Sequence, residues 1–133
     1  MINRRKMMTF LSTVALGLGL VTGSASADNW TIGFSQDTMD HPWRAYMVTS
    51  AEAQAGKYSE IKEFIYTDAG GSNEKQIADV EDLISRGVDL IMMSPREAQA
   101  LVPAVEAIKA AGIPLVVLDR EIVGEDYNVF IGG

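Results

Sequence analysis

From residue 30 onward, short apolar runs alternate with longer stretches in which apolar residues recur every three or four positions. Trp30-Thr31-Ile32-Gly33-Phe34 reads as a first strand, and Pro42 opens a helix carrying Ala45, Val48, Glu52 and Ala55 before Gly56 ends it. Ile61 to Tyr66 gives a second strand, closed by the turn Asp68-Ala69-Gly70-Gly71. Ser72 or Asn73 then caps a helix whose stripe is Ile77, Val80, Leu83 and Ile84, with Gly87 as its stop. Val88 to Met93 is apolar except for Asp89, as expected of a strand covered on both faces. Ala98, Leu101, Val102, Val105, Ile108 and Ala111 mark a third helix ended by Gly112 and Pro114. Leu115 to Leu118 and Val129 to Ile131 supply two more strands. The order β-α-β-α-β-α-β-β predicts an α/β fold, a parallel sheet with right-handed crossovers and helices on both faces, in a Rossmann-like three-layer sandwich.

The first 27 residues follow a different pattern. Arg4-Arg5-Lys6 precede an apolar run from Phe10 to Val21, and Ala25-Ser26-Ala27 stands just before Asp28. This is the layout of a cleaved signal peptide, with the cut after Ala27 and ordinary Sec export to the periplasm. The run is shorter than the roughly 20 residues that span a bilayer, which argues against a membrane anchor. Residues 28 to 133 are then one domain.

Composition narrows the chemistry. The chain has 133 residues and a formal charge of −7; the leader holds three of its 11 basic residues and no acidic one, leaving 8 basic against 18 acidic, or −10. Such an acidic domain does not suit a phosphate backbone, so no nucleic-acid partner is expected. The sequence has no cysteine and a single histidine, His41, which excludes thiolate metal sites, cysteine nucleophiles and multi-histidine metal centres. Neither metal nor cofactor is expected.

In an open parallel sheet, ligands bind beyond the carboxyl ends of the strands. There the sequence places Ser35-Gln36-Asp37-Thr38-Met39-Asp40-His41-Pro42-Trp43-Arg44 after the first strand, Ser94-Pro95-Arg96 after the third and Asp119-Arg120 after the fourth. Carboxylates accept hydrogen bonds from hydroxyl groups, guanidinium forks donate to them, and an indole stacks on the apolar face of a sugar ring. These residue types suit a neutral polyol. The segment Asp68-Ala69-Gly70-Gly71-Ser72 also raises a phosphate site at a helix N-terminus, but it lacks G-x-G-x-x-G spacing and a P-loop lysine, and reads as a plain turn.

Three passages carry a family resemblance: Ile32-Gly33-Phe34-Ser35-Gln36 through His41-Pro42-Trp43-Arg44, Gly87-Val88-Asp89-Leu90-Ile91 to Ser94-Pro95, and Ala111-Gly112-Ile113-Pro114-Leu115-Val116-Val117-Leu118-Asp119-Arg120. Together they resemble the periplasmic sugar-binding proteins of the ribose-binding type, the substrate-binding components of ABC sugar importers. The resemblance implies a type I periplasmic binding fold that holds a monosaccharide or polyol between two lobes and delivers it to a membrane permease. It implies a monomer at full length and no catalysis. It assigns hydroxyl contacts to Asp119 and Arg120, ring packing to Trp43, and further ligand contacts to Ser35, Gln36, Asp37, His41 and Arg44.

Ribose binders carry a second aromatic where Arg44 stands, and serine and asparagine where Asp37 and His41 stand. The Trp43-Arg44 pair and Phe34-Ser35-Gln36 are more similar to the galactofuranose-binding branch. Members of the family continue beyond the equivalent of Gly132-Gly133 into a second lobe, so this chain is expected to be the N-terminal lobe of a truncated protein. Residues 28 to 133 alone are then expected to bind sugar very weakly or not at all. The competing reading is an exported α/β enzyme acting on a sugar or sugar phosphate, with Asp37, Asp119 and His41 in acid–base roles; no G-x-S-x-G elbow supports it.

Overall fold

A computed structural model describes residues 29–133; the leader expected over residues 1–27 lies outside the described residues. The elements run β1 (Trp30–Gln36), α1 (Pro42–Ala55), β2 (Ile61–Asp68), α2 (Asn73–Ser85), β3 (Leu90–Ser94), α3 (Val102–Ala110), β4 (Leu115–Asp119) and β5 (Val129–Gly132). All five strands lie parallel, in the order β2-β1-β3-β4-β5. Strand order reverses between β1 and β3, so a crevice opens where their carboxyl ends diverge.

The expected elements are all present, with shifted ends. β1 runs two residues beyond Phe34, which places Ser35 and Gln36 inside the sheet rather than in the loop that follows. The third helix begins at Val102, after a turn that holds Ala98 and Leu101; Pro103 in its first turn fits that start. Ser72 is the cap of α2: its hydroxyl accepts the Lys75 N–H at 3.1 Å and donates to Glu74 Oε2 at 2.9 Å. The Glu74 carboxyl is held below the usual range, first by its own backbone N–H and then by Ser72.

The two faces of the sheet are covered unequally. α2 and α3 bury Val80, Leu83, Ala104, Val105 and Ile108 against Ile91, Met93, Leu115 and Val117. On the other face α1 packs Val48 against Phe34 and Leu118, with Met47, Phe64, Met92 and Val116 only partly buried around them. β5 is exposed along its whole length.

α2 crosses β1 closely because residue 33 has no side chain. A Cβ at Gly33 would lie 3.1 Å from both methyl carbons of Leu83, which is itself wholly buried. Gly33→Val is therefore expected to cost about 1–3 kcal/mol by overpacking, read as a lower denaturation midpoint in urea. An unchanged midpoint would show that α2 can back away from the sheet.

Candidate functional site

Three side chains at the carboxyl edge of the sheet are tied together by one arginine. Arg44 stands in the first turn of α1, with Pro42 fixing the helix start and the β-region backbone of His41 leading into it. Its guanidinium donates to Asp37 Oδ1 at 2.6 Å, to Ser94 Oγ at 3.2 Å and to Asp119 Oδ2 at 3.2 Å. The ends of β1, β3 and β4 thus meet on a single side chain. Arg44 is 6% exposed and Asp37 1%, so this is a buried ion pair whose members depend on one another.

A second layer of hydrogen bonds holds this arrangement from below. Gln36 accepts the Asp37 N–H through Oε1 at 3.1 Å and donates through Nε2 to the Arg44 carbonyl at 3.3 Å. Gln76, wholly buried on α2, donates to Ser35 Oγ at 3.3 Å and to the Ser94 carbonyl at 2.8 Å, and accepts the Arg96 N–H at 3.0 Å. Each polar group is paired, as burial in a low dielectric demands.

Asp119 ends β4 in the left-handed region, at φ 67, the one non-glycine residue there among the described residues. The Arg120 N–H donates to the Leu118 carbonyl at 2.8 Å across it, closing a three-residue turn of the rarer hand. Such strain persists only where its surroundings enforce it, and here the Arg44 contact does so. The turn carries Arg120 out over the edge, where its guanidinium lies 3.8 Å from Asp37 Oδ2 and 3.9 Å from Asp119 Oδ2 and donates to the Arg96 carbonyl at 2.7 Å.

Two hollows flank the Arg44–Asp119 pair. The polar one, about 300 Å³, is lined by Asp37, Thr38, Asp40, His41, Arg44, Gly70, Gly71, Arg96 and Arg120. The apolar one, about 290 Å³, is lined by Trp43, Met47, Phe34, Met92, Leu118, Asp119 and Ile131, among others. Trp43 is 45% exposed, and the Arg44 guanidinium carbon sits 5.6 Å from its ring centroid. An indole beside carboxylate and guanidinium side chains gives one edge an apolar platform and a hydrogen-bonding strip.

The eight residues singled out from the sequence fall into three groups. Trp43, His41, Asp119 and Arg120 border the hollows; Asp37 and Arg44 form the floor of the polar one; Ser35 and Gln36 are sealed inside the sheet, where their side chains bond to Gln76, Asp37 and Arg44. The turn at Asp68 to Ser72 is a turn: the Gly70, Gly71 and Ser72 amides donate to Asp68 Oδ1, the Asp37 carbonyl and the Ala69 carbonyl. Gln76 was not anticipated as a site residue, and Arg96 was placed on the third strand's loop without a contact assigned to it. Gln76 lies in helical register with Val80 and Leu83, where a polar residue signals a buried partner; Arg96 directly follows a strand end.

The sequence of residues 32–133 matches the family model described as "Periplasmic binding protein domain". The chain is 35% identical over 99 residues to the ribose import binding protein of Bacillus subtilis, covering 74% of this chain and 32% of that protein. It is 29% identical over 126 residues to the galactofuranose-binding protein of Escherichia coli, covering 95% of this chain and 38% of that one. A solved ABC transporter solute-binding protein from Mycobacterium smegmatis, with bound glycerol, superposes with a TM-score of 0.72 at 34% identity, over 77% of this chain and 34% of that chain. The chain spans about a third of the length of these relatives, and the five-stranded parallel sheet with its flanking helices is the α/β architecture they share. From Ile32 to Gly133, this chain belongs to the periplasmic binding protein domain family.

Proposed function

We propose that this chain supplies one wall of a monosaccharide or polyol site in the periplasmic substrate-binding component of an ABC-type sugar importer. The single observation that carries the reading is the convergence of three strand ends on Arg44, which fixes Asp119 on the hollow lined by half-exposed Trp43, with Arg120 next in the chain on the polar hollow. Asp119 and Arg120 offer acceptor and donor to neighbouring hydroxyls while the indole covers the ring's apolar face. Arg44 and Asp37 act by positioning, since both are buried beneath the edge. Release to a membrane permease and export through the leader at residues 1–27 belong to the same reading, supported by the family and by the N-terminal sequence pattern.

Binding is favoured over acid–base catalysis because the carboxylates that would move protons, Asp37 and Asp119, are both committed to Arg44. Saturation-transfer NMR on neutral pentoses, hexoses and polyols mixed with the purified protein tests the proposal. Affinity in the millimolar range or weaker is expected, since a closed site buries some 70–90% of a ligand and a single wall leaves much of it hydrated. Saturation transfer to at least one sugar without product formation supports the reading. Turnover, or no transfer to any member of the panel, would contradict it.

A further inference from the structure

The polar hollow carries more positive than negative charge, although the chain as a whole is strongly acidic. Three arginines, Arg44, Arg96 and Arg120, line it against two aspartates, Asp37 and Asp40. Asp37, and Asp119 just outside the lining, are each bonded to Arg44 and each lie within 4.0 Å of Arg120. Two guanidinium groups therefore already serve two carboxylates. Arg96 is the third guanidinium on the hollow, half-buried, with no carboxylate within 4.0 Å among the described residues. Asp40 stands exposed at the mouth and makes no ion pair among the described residues, so water screens its charge.

The structure also holds Arg96 in place. Gln76, wholly buried, accepts its N–H at 3.0 Å, and Arg120 donates to its carbonyl at 2.7 Å, so the backbone is clamped on both sides while the side chain has no hydrogen-bond partner among the described residues. Gly71, at φ 80, clears the space beside the guanidinium: a Cβ there would lie 3.3 Å from Arg96 Nη1. An arginine has only donors to offer, and its fork matches a carboxylate in a way that a hydroxyl cannot reproduce.

Building on the proposed sugar site, we infer that Arg96 is a specificity-determining residue and that the ligand class is a monosaccharide acid, whose carboxylate sits in the polar hollow against Arg96 while its hydroxyls meet Asp119 and Arg120. The preference is electrostatic as well as geometric, so added salt weakens it.

The test titrates the ¹⁵N-labelled protein with matched pairs, glucose with glucuronate and galactose with galacturonate, following backbone amides around Asp119 and Arg96. The acid of at least one pair is expected to bind roughly three- to tenfold more tightly than its neutral parent, because a charge-assisted bond replaces a neutral one at a half-exposed position. In Arg96→Gln that ratio should fall to about one, and Arg96→Lys should retain part of it. Equal affinities within every pair, or a ratio untouched by Arg96→Gln, would overturn the inference and leave the sugar site standing. Failure of all four ligands to move any amide at this edge would also overturn the inference, while the sugar site is judged separately by the panel of pentoses, hexoses and polyols.

Discussion

Arg44→Met is expected to destabilise the domain by about 3–5 kcal/mol, because it leaves buried Asp37 with only the half-exposed Arg120 guanidinium, 3.8 Å away, to face its charge. The loss exceeds the value of any one hydrogen bond. Asp37 Oδ1, Ser94 Oγ and Asp119 Oδ2 would all lose a donor at once, and the left-handed backbone at Asp119 would lose the contact that enforces it. Methionine preserves most of the volume, so the cost isolates the charge. The double variant Asp37→Asn/Arg44→Met should regain about 1–3 kcal/mol of that loss, the coupling expected of residues in one network. Urea denaturation of the three proteins measures this. A single variant that loses less than about 1 kcal/mol would show that water reaches Asp37 and that the pair does not organise the edge.

The second large effect falls on binding. Asp119→Asn and Arg120→Ala should each weaken sugar affinity by roughly 2- to 10-fold, the net worth of one hydrogen bond to a hydroxyl that water still reaches, about 0.5–1.5 kcal/mol. The two variants differ in what else they disturb. Arg120 is exposed, and its removal leaves the Arg44–Asp37 and Arg44–Asp119 bonds intact, so its melting temperature should match the parent's. Asp119 is less separable from the fold than a rim position suggests, since it ends β4 at positive φ and accepts from Arg44. Asparagine tolerates that backbone where alanine does not, and is therefore the informative substitution. Chemical-shift titration with the best-binding sugar gives both affinities; unchanged values in both variants would remove the pair from the site.

The architecture was legible because its periods were clean. The stripe through Val80 and Leu83, the glycine stops at Gly87 and Gly112 and the near-continuous Val88 to Met93 run leave few alternatives to alternating strands and helices. The ends of elements were harder to read. Ser35 and Gln36 look like loop residues because they are polar, yet they extend β1 since Gln76 and the Arg44 carbonyl satisfy them inside the protein. Pairing across the sheet, not local propensity, decides such positions. The roles of Asp37 and Arg44 were hidden for the same reason. A lone arginine in a helix start says nothing of the three strand ends it will join, since Ser94 and Asp119 lie 50 and 75 residues away. Trp43, Asp119 and Arg120 could be placed at the edge from sequence because a parallel sheet turns every strand's carboxyl end toward one crevice.

The most direct measurement is a ¹⁵N chemical-shift map of the protein titrated with the monosaccharide that shows the strongest saturation transfer. If the carboxyl edge is a sugar-binding wall, the saturating shifts will cluster at Asp37, Asp119, Arg120, Arg96 and the Trp43 indole N–H, and will need a higher sugar concentration to develop in Arg120→Ala. Shifts confined to the opposite edge of the sheet, around Lys109 and Asp126, or no saturable shift at any residue, would contradict the account.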